Sequence, residues 1–413
     1  MDNWKKQVTT FLISQVVSLM GSMLVMYTIM WYVTLGTQSG SMMTIMVLCS
    51  FIPALIFAPF AGVWADRLNR KALMIVADLG IAAVTLVIAI LFMFGIRDLW
   101  IIFVVSVIRS IGQAVHSPAV SAVYPQIVPE DKLLKVQSIN QSIQSSSMVL
   151  MPMLAGLLFA TVPIEYILLV DVVTAAIAVF ILVTYVKIPK HKAELENVKI
   201  EYMKDIKSGI KYAFNHKFVL SLLIFGALFM FLVAAPSFLT YLQVARVFGA
   251  EEWRLAVLET LFGLGMVLGS LFITFWGGFK NRLKTFFMAY AVIGIGTALL
   301  GIPFDFWFYI GAWSLIGFFI SISNPILPTL IQEKVEPEYL GRVFSVFGLI
   351  SQTSMPLGML LFGPLSDFTD VSLIILIAGI CMILLALFPY TRKKLMAEGL
   401  PKVKPQELEI TQE

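Results

Sequence analysis

Twelve apolar runs, each long enough to cross a lipid bilayer, constrain this chain more than any other feature. They cover residues 9–35, 41–64, 72–95, 99–124, 136–161, 164–186, 218–247, 253–276, 285–301, 306–331, 343–365 and 371–390. About 20 apolar residues in a helix span a hydrocarbon core roughly 30 Å thick, and a helix satisfies its own backbone polar groups there. Hydrophobic residues make up 59% of the 413 positions and charged residues 13%, which excludes a water-soluble globule of ordinary composition. The fold expected is all-α, an integral membrane protein of twelve transmembrane helices. Lys5 and Lys6 precede the first run as they would a signal peptide, but the run is too long for one and is expected to remain as a span. Cys49 and Cys381 both fall inside runs and read as small packing residues rather than a disulfide framework.

The basic residues set an orientation. Of the 29 Lys and Arg, twenty-five fall in alternate connections, among them Arg67, Arg70, Lys71 and the eight lysines between Lys187 and Lys217. The opposite connections hold only Arg97, Arg246 and Arg254, and Arg109 stands inside a run. The positive-inside rule then places both termini in the cytoplasm.

The chain also repeats itself. The stretch from Leu133 to Gly156 returns, altered, from Leu340 to Gly363, with Leu133/Leu340, Val136/Val343, Ser138/Ser345, Ser147/Ser354 and Gly156/Gly363 identical at a constant offset and Pro118/Pro325 at the same offset further back. Two pseudo-symmetric six-helix bundles are expected, residues 1–186 and 218–390, joined by a cytoplasmic linker at 187–217 and followed by a cytoplasmic tail at 391–413. In the linker, Ile206, Ile210, Ala213 and Phe214 share a helical face among Lys204, Lys207 and Lys211, the pattern of a helix lying on an anionic bilayer surface. Paired helical halves in so apolar a chain point to a secondary transporter, in which two bundles rock about a site between them.

Polar groups at membrane depth mark that site. Asp78 lies in the third run, Arg109 in the fourth with Gln113 and His116 one and two turns along the same face, Asp171 in the sixth and Glu259 in the eighth. Ionisable groups there are expensive and are functional candidates by default. A carboxyl in low dielectric can take up a proton in one conformation and release it in another, and histidine is the side chain that changes charge near neutral pH. Asp78, Arg109, Asp171, Glu259 and His116 are therefore the proton-coupling candidates. Each has a structural alternative: Arg109 bracing helices through backbone carbonyls or Asp78, Asp171 satisfied by a neighbouring Ser, Thr or Arg, and His116 packed and hydrogen-bonded. Gln15 recurs with Ser18 and Ser22 at helical spacing, and Gln137, Asn140, Gln141, Gln144 and Ser147 form a polar stripe in the fifth run that must face protein or water. With Gln113, Phe229, Phe238, Tyr241 and Asn324 these make up the candidate walls of a substrate cavity. The only histidines are His116, His191 and His216. No nucleophile–base pair or metal-ligand spacing accompanies them, so no enzyme, cofactor or metal is expected.

Between the second and third runs stands Gly62-Val-Trp-Ala-Asp66-Arg67-Leu-Asn-Arg70-Lys71. Gly62 would let helices approach, with Asp66 one turn on beside Arg67 and Arg70. This resembles the GxxxDRxxR loop of the major facilitator superfamily, with Asn69 where a glycine usually precedes the second arginine. Arg109-Ser-Ile-Gly-Gln-Ala-Val-His116-Ser-Pro118, Gln141-Ser-Ile-Gln144-Ser-Ser-Ser and Gln332-Glu-Lys-Val-Glu-Pro337-Glu-Tyr-Leu-Gly341-Arg342 narrow the resemblance to its macrolide-efflux branch, within the drug:proton antiporters. The resemblance implies a monomeric exporter of small amphiphilic molecules in a bacterial plasma membrane, with protons and the lipid bilayer as its other partners and no nucleic acid. It also implies that Gly62, Asp66, Arg67, Arg70, Gly341 and Arg342 form a conformational latch, the Asp66 carboxylate meeting the N-terminus of the eleventh span, where the helix dipole favours an anion. The GxxxGPxxGG-like motif that many antiporters carry in the fifth helix is reduced here to Pro152 and Gly156.

Overall fold

A computed structural model describes residues 3–188, 211–212, 214–336 and 339–400. Most of the linker, with its expected surface helix, and the last part of the tail lie outside them. Among the described residues, twelve helical spans are long and apolar enough to cross a membrane, in the number and order the apolar runs predict. They are built from α1 (Asn3–Thr37), α2 (Gly40–Arg67), α3 (Arg70–Met93), α4 (Leu99–Ile127), α5 (Leu133–Thr161), α6 (Ile164–Tyr185), α7 (Lys217–Gln243), α8 (Glu252–Trp276), α9 (Arg282–Leu300), α10 (Phe306–Ser323), α11 (Ile326–Lys334), α12 (Leu340–Phe368) and α13 (Val371–Leu387), and a short α14 (Lys393–Ala397) follows.

Local chemistry sets the ends. Ser39, Asn69, Asn281, Asp305 and Asp370 each cap the following helix by accepting from a backbone N–H of its first turn. Asn69 is thus more than a departure from a glycine: its side chain accepts from Ala72 N at 3.1 Å. The tenth span is broken at Asn324–Pro325, because Pro325 has no N–H to continue the ladder, and α10 passes into α11 there.

The chain divides into two compact units, the first holding α1–α6 with Gly249–Thr260, the second α7, the rest of α8 and α9–α14. In the first, α1 packs on α6 and α5, α2 on α4, and α3 on both α4 and α6. One apolar cluster gathers Val25, Ile29, Phe92, Ile102 and Leu168, and another gathers Phe11, Met74, Tyr124 and Leu182. Along α1 the two are separated by Ser14, Ser18 and Ser22, which lie on the turns between their contributions. In the second unit α7 packs on α12 and α13, and α9 on α13 and α10. Its interior is aromatic: Phe229 stacks on Tyr290 with centroids 3.6 Å apart, and Phe225 stands edge-on to Phe287 at 4.7 Å.

The basic loop after α2 holds the helix ends of the first unit. Arg70 donates to Ala65 O (2.9 Å) and Ala122 O (2.7 Å), and Lys71 to Val183 O (3.0 Å) and Val186 O (2.8 Å). Cations on the carbonyl-rich C-terminal turns of α2, α4 and α6 satisfy orphan acceptors and oppose the helix dipoles. One expectation is corrected: a Cβ built on Gly62 meets no described atom within 4 Å. Gly62 is therefore not a point of close helix approach in this structure, and the loop is held by arginine and lysine instead.

Candidate functional site

Ionisable groups of α3, α4 and α6 converge in the first unit. Asp171 on α6 is 1% exposed and Asp78 on α3 4%, too deep for a carboxylate without partners. Arg109 of α4 forms an ion pair with Asp171 Oδ2 and donates to Thr85 Oγ1 of α3. Thr85 Oγ1 lies 3.2 Å from Asp171 Oδ2 and 2.8 Å from Ile81 O of its own helix. Ser22 of α1 completes the cage, its hydroxyl donating to Asp171 Oδ1 (3.3 Å) and its carbonyl accepting from Arg109 Nη2 (3.4 Å). Four helices thus share one guanidinium–carboxylate pair.

One turn or more away along the same helices, Asp78 Oδ1 accepts from Ser18 Oγ at 3.1 Å. His116 Nε2 stands 3.4 Å from the same oxygen, within ion-pair distance but without an aligned hydrogen bond. The two carboxylates therefore differ in kind. Asp171 has a permanent cation beside it, whereas the counter-charge of Asp78 exists only when His116 is protonated. Of the structural alternative weighed for Arg109, the backbone-carbonyl contact is present, to Ser22 O, while the carboxylate partner is corrected: Arg109 is paired with Asp171, and Asp78 faces His116.

Packing makes the convergence possible. A Cβ on Gly21 of α1 would run into Thr174 Oγ1 and the backbone of Asp171, and one on Gly112 of α4 into Ile81 of α3. Only residues without a Cβ let α1 reach α6, and α4 reach α3, at the level of the pair.

Gln15, Gln113, Asn140 and Gln144 come together in the first unit. With Ser18, His116 and Tyr124 they line a cavity of about 200 Å³ among α1, α4 and α5. Gln137 and Gln141 are exposed on α5 and do not line it; Gln137, seven residues before Gln144, shares its face but lies two turns nearer the start of the helix. Phe229 and Phe238 are each 1% exposed in the packed interior of the second unit, and Phe229 is stacked on Phe225 and Tyr290, so neither ring lines a cavity in this structure. Tyr241 is also buried, and Asn324 is exposed at the α10–α11 break. Glu259 is 7% exposed on α8, with Tyr27 of α1 within its electrostatic reach. Of the latch residues, Arg67 is exposed, Arg70 holds helix ends and Arg342 lies over the Tyr339 ring at 5.5 Å. The Asp66 side chain lies outside the described residues. Thr85 was missed by sequence reasoning, although its spacing of seven from Asp78 puts both on one face of α3.

The model of the Major Facilitator Superfamily matches residues 11–359 and 255–409. Macrolide efflux protein A of Streptococcus pyogenes is 32% identical over 388 residues, covering 94% of this chain and 96% of that protein. The protein of the same name from Enterococcus faecalis is 33% identical over 324 residues, 78% of this chain and 100% of its own length. Among solved structures, a POT family transporter in complex with a thioalcohol-conjugated peptide superposes with a TM-score of 0.70 at 12% identity, covering 94% and 96% of the two chains. The nucleoside transporter NupG does so at 0.65 and 16% identity, covering 96% and 100%. With the same twelve-span fold and this extent of sequence match, the chain belongs to the Major Facilitator Superfamily, whose macrolide efflux proteins it resembles over most of its length.

Proposed function

We propose that this protein exports amphiphilic, macrolide-like drugs by alternating access, driven by proton entry. The observation that carries the reading is the buried network of the first unit, where one carboxylate has a fixed cation and its neighbour faces a histidine. A proton on the Asp78–His116 pair changes the net charge of the network by one unit at membrane depth. Such a change is costly unless the surroundings rearrange, which gives a proton leverage over conformation. The driving force is adequate: one charge crossing 100 mV supplies about 2.3 kcal/mol, which at about 1.4 kcal/mol per decade supports roughly a fortyfold gradient. Glu259, buried on α8, is a further candidate for the proton. The protein works as a monomer in a bacterial plasma membrane with both termini cytoplasmic, and the Asp66 loop and the Gly341–Arg342 turn act as its latch.

The substrate class is supported by the macrolide efflux relatives. A siderophore or other lipid-like amphiphile is the second reading, since the Staphyloferrin A transporter of Staphylococcus aureus is 22% identical over 374 residues. Efflux of a macrolide and of a siderophore from a pump-deficient host, with and without a protonophore, tests both. Macrolide efflux that stops with the protonophore is expected. Siderophore efflux alone would replace the substrate, and efflux of either that ignores the protonophore would make the protein an uncoupled facilitator or flippase.

A further inference from the structure

A second cavity of about 340 Å³ opens among α1, α2 and α4. Its walls differ from those of the amide-lined one. Met23, Met26 and Met46 supply flexible thioethers that repack around irregular apolar shapes, and Ser50 and Ala54, one and two turns beyond Met46 on α2, also line it. The charged group on its wall, Arg109, is already paired with Asp171, so the pocket offers no free charge to a ligand. Leu19, Met23 and Gln113 belong to both cavities. Gln113 is the polar one of the three. Its amide is exposed and donates to Ser22 Oγ at 3.5 Å, a long bond that a ligand acceptor would displace at little cost.

Resting on the export reading above, we infer that the methionine-lined pocket is a second ligand subsite. It takes the neutral, branched apolar part of an amphiphile, and Gln113 is the specificity-determining residue where that part joins the acceptor-rich part in the amide-lined cavity. A pocket of this size and lining, with one polar group on a shared wall, is how adaptable small-molecule sites are built. Because Gln113 bonds Ser22, and Ser22 bonds Asp171, a ligand that takes the Gln113 amide also loosens the cage around the ion pair.

The test is equilibrium binding of a radiolabelled macrolide to the purified full chain, with N-phenyl-1-naphthylamine, neutral and poor in acceptors, as competitor. In the wild type the competitor displaces the macrolide. Ala54→Phe, which fills the pocket, is expected to weaken macrolide binding about tenfold and to abolish displacement. Met26→Trp, filling the pocket from a half-exposed position, does the same should Ala54→Phe not fold. Gln113→Leu weakens the macrolide about tenfold yet leaves the competitor bound, and Gln113→Asn recovers part of the loss. Wild-type affinities and displacement in the folded filling variants would overturn the subsite while leaving export intact. A wild type that binds no macrolide would overturn the export reading and the subsite together.

Discussion

The two units carry the same duplicated fold and bury opposite chemistry. The first holds a guanidinium, two carboxylates and an imidazole among its helices. In the second, at the offset that pairs Pro118 with Pro325, the places of Arg109 and Asp171 are taken by Ile316 and Ala378, both buried. Among the described residues its buried polar side chains are neutral: Gln243, fully buried, donates to Leu300 O (2.9 Å) and Ser372 Oγ (3.1 Å) and accepts from Tyr309 OH (2.7 Å). In the second copy of the sequence repeat the buried carboxylate is Glu259 on α8, so what the first copy alone keeps is a guanidinium paired with one carboxylate and an imidazole facing another.

Moving charge between the units is the harshest way to break this comparison. Ile316→Arg puts an unpaired cation into the second unit, at a cost of roughly 3 kcal/mol or more. Little folded protein is expected by size-exclusion profile, and Ile316→Arg with Ala378→Asp is expected to recover part of it. Equal yields of the single and double variants would show that the two positions do not pair as Arg109 and Asp171 do. Arg109→Ala strands Asp171 and is expected to cost about 3–5 kcal/mol and to abolish transport. Normal efflux and an unchanged melting temperature would make the pair dispensable.

Phe229→Ala sharpens the contrast. It removes a ring stacked on Phe225 and Tyr290 and should cost about 3 kcal/mol while leaving efflux per folded molecule near normal. A selective loss of efflux would return Phe229 to the substrate path. The smallest effect belongs to Asn69→Ala, which removes the cap of α3 for about 1 kcal/mol, a modest fall in melting temperature. Asn69→Gly should lose less, since glycine is a tolerable cap and is what the resemblance expects there.

The spans were legible because hydrocarbon imposes one rule on every residue it touches, so composition over a window decides the helix. The polar stripe of α1 was legible for the same reason, as Ser18 and Ser22 recur with the helical period and both contact the carboxylates. Which carboxylate Arg109 would choose was not. That depends on how α6 is rotated against α4, and on Gly21 allowing α1 to close on Asp171, neither of which leaves a local pattern. Asn69 was readable, since an Asn before a helix start is a cap signal, but the family comparison drew attention to the missing glycine instead. The methionine-lined pocket was hidden because methionines are common in membrane helices, and only packing separates those that line a cavity from those that face lipid.

The central claim is that the buried network of the first unit exchanges a proton for an amphiphile. Its most direct test is pyranine fluorescence inside proteoliposomes holding the purified full chain under an imposed pH gradient, recorded as a macrolide is added. Proton movement coupled to macrolide transport is predicted in the wild type. It should vanish, with the protein still folded, in at least one of Asp78→Asn, Asp171→Asn and Glu259→Gln. Macrolide transport without proton movement, or full coupling in all three variants, would contradict the account.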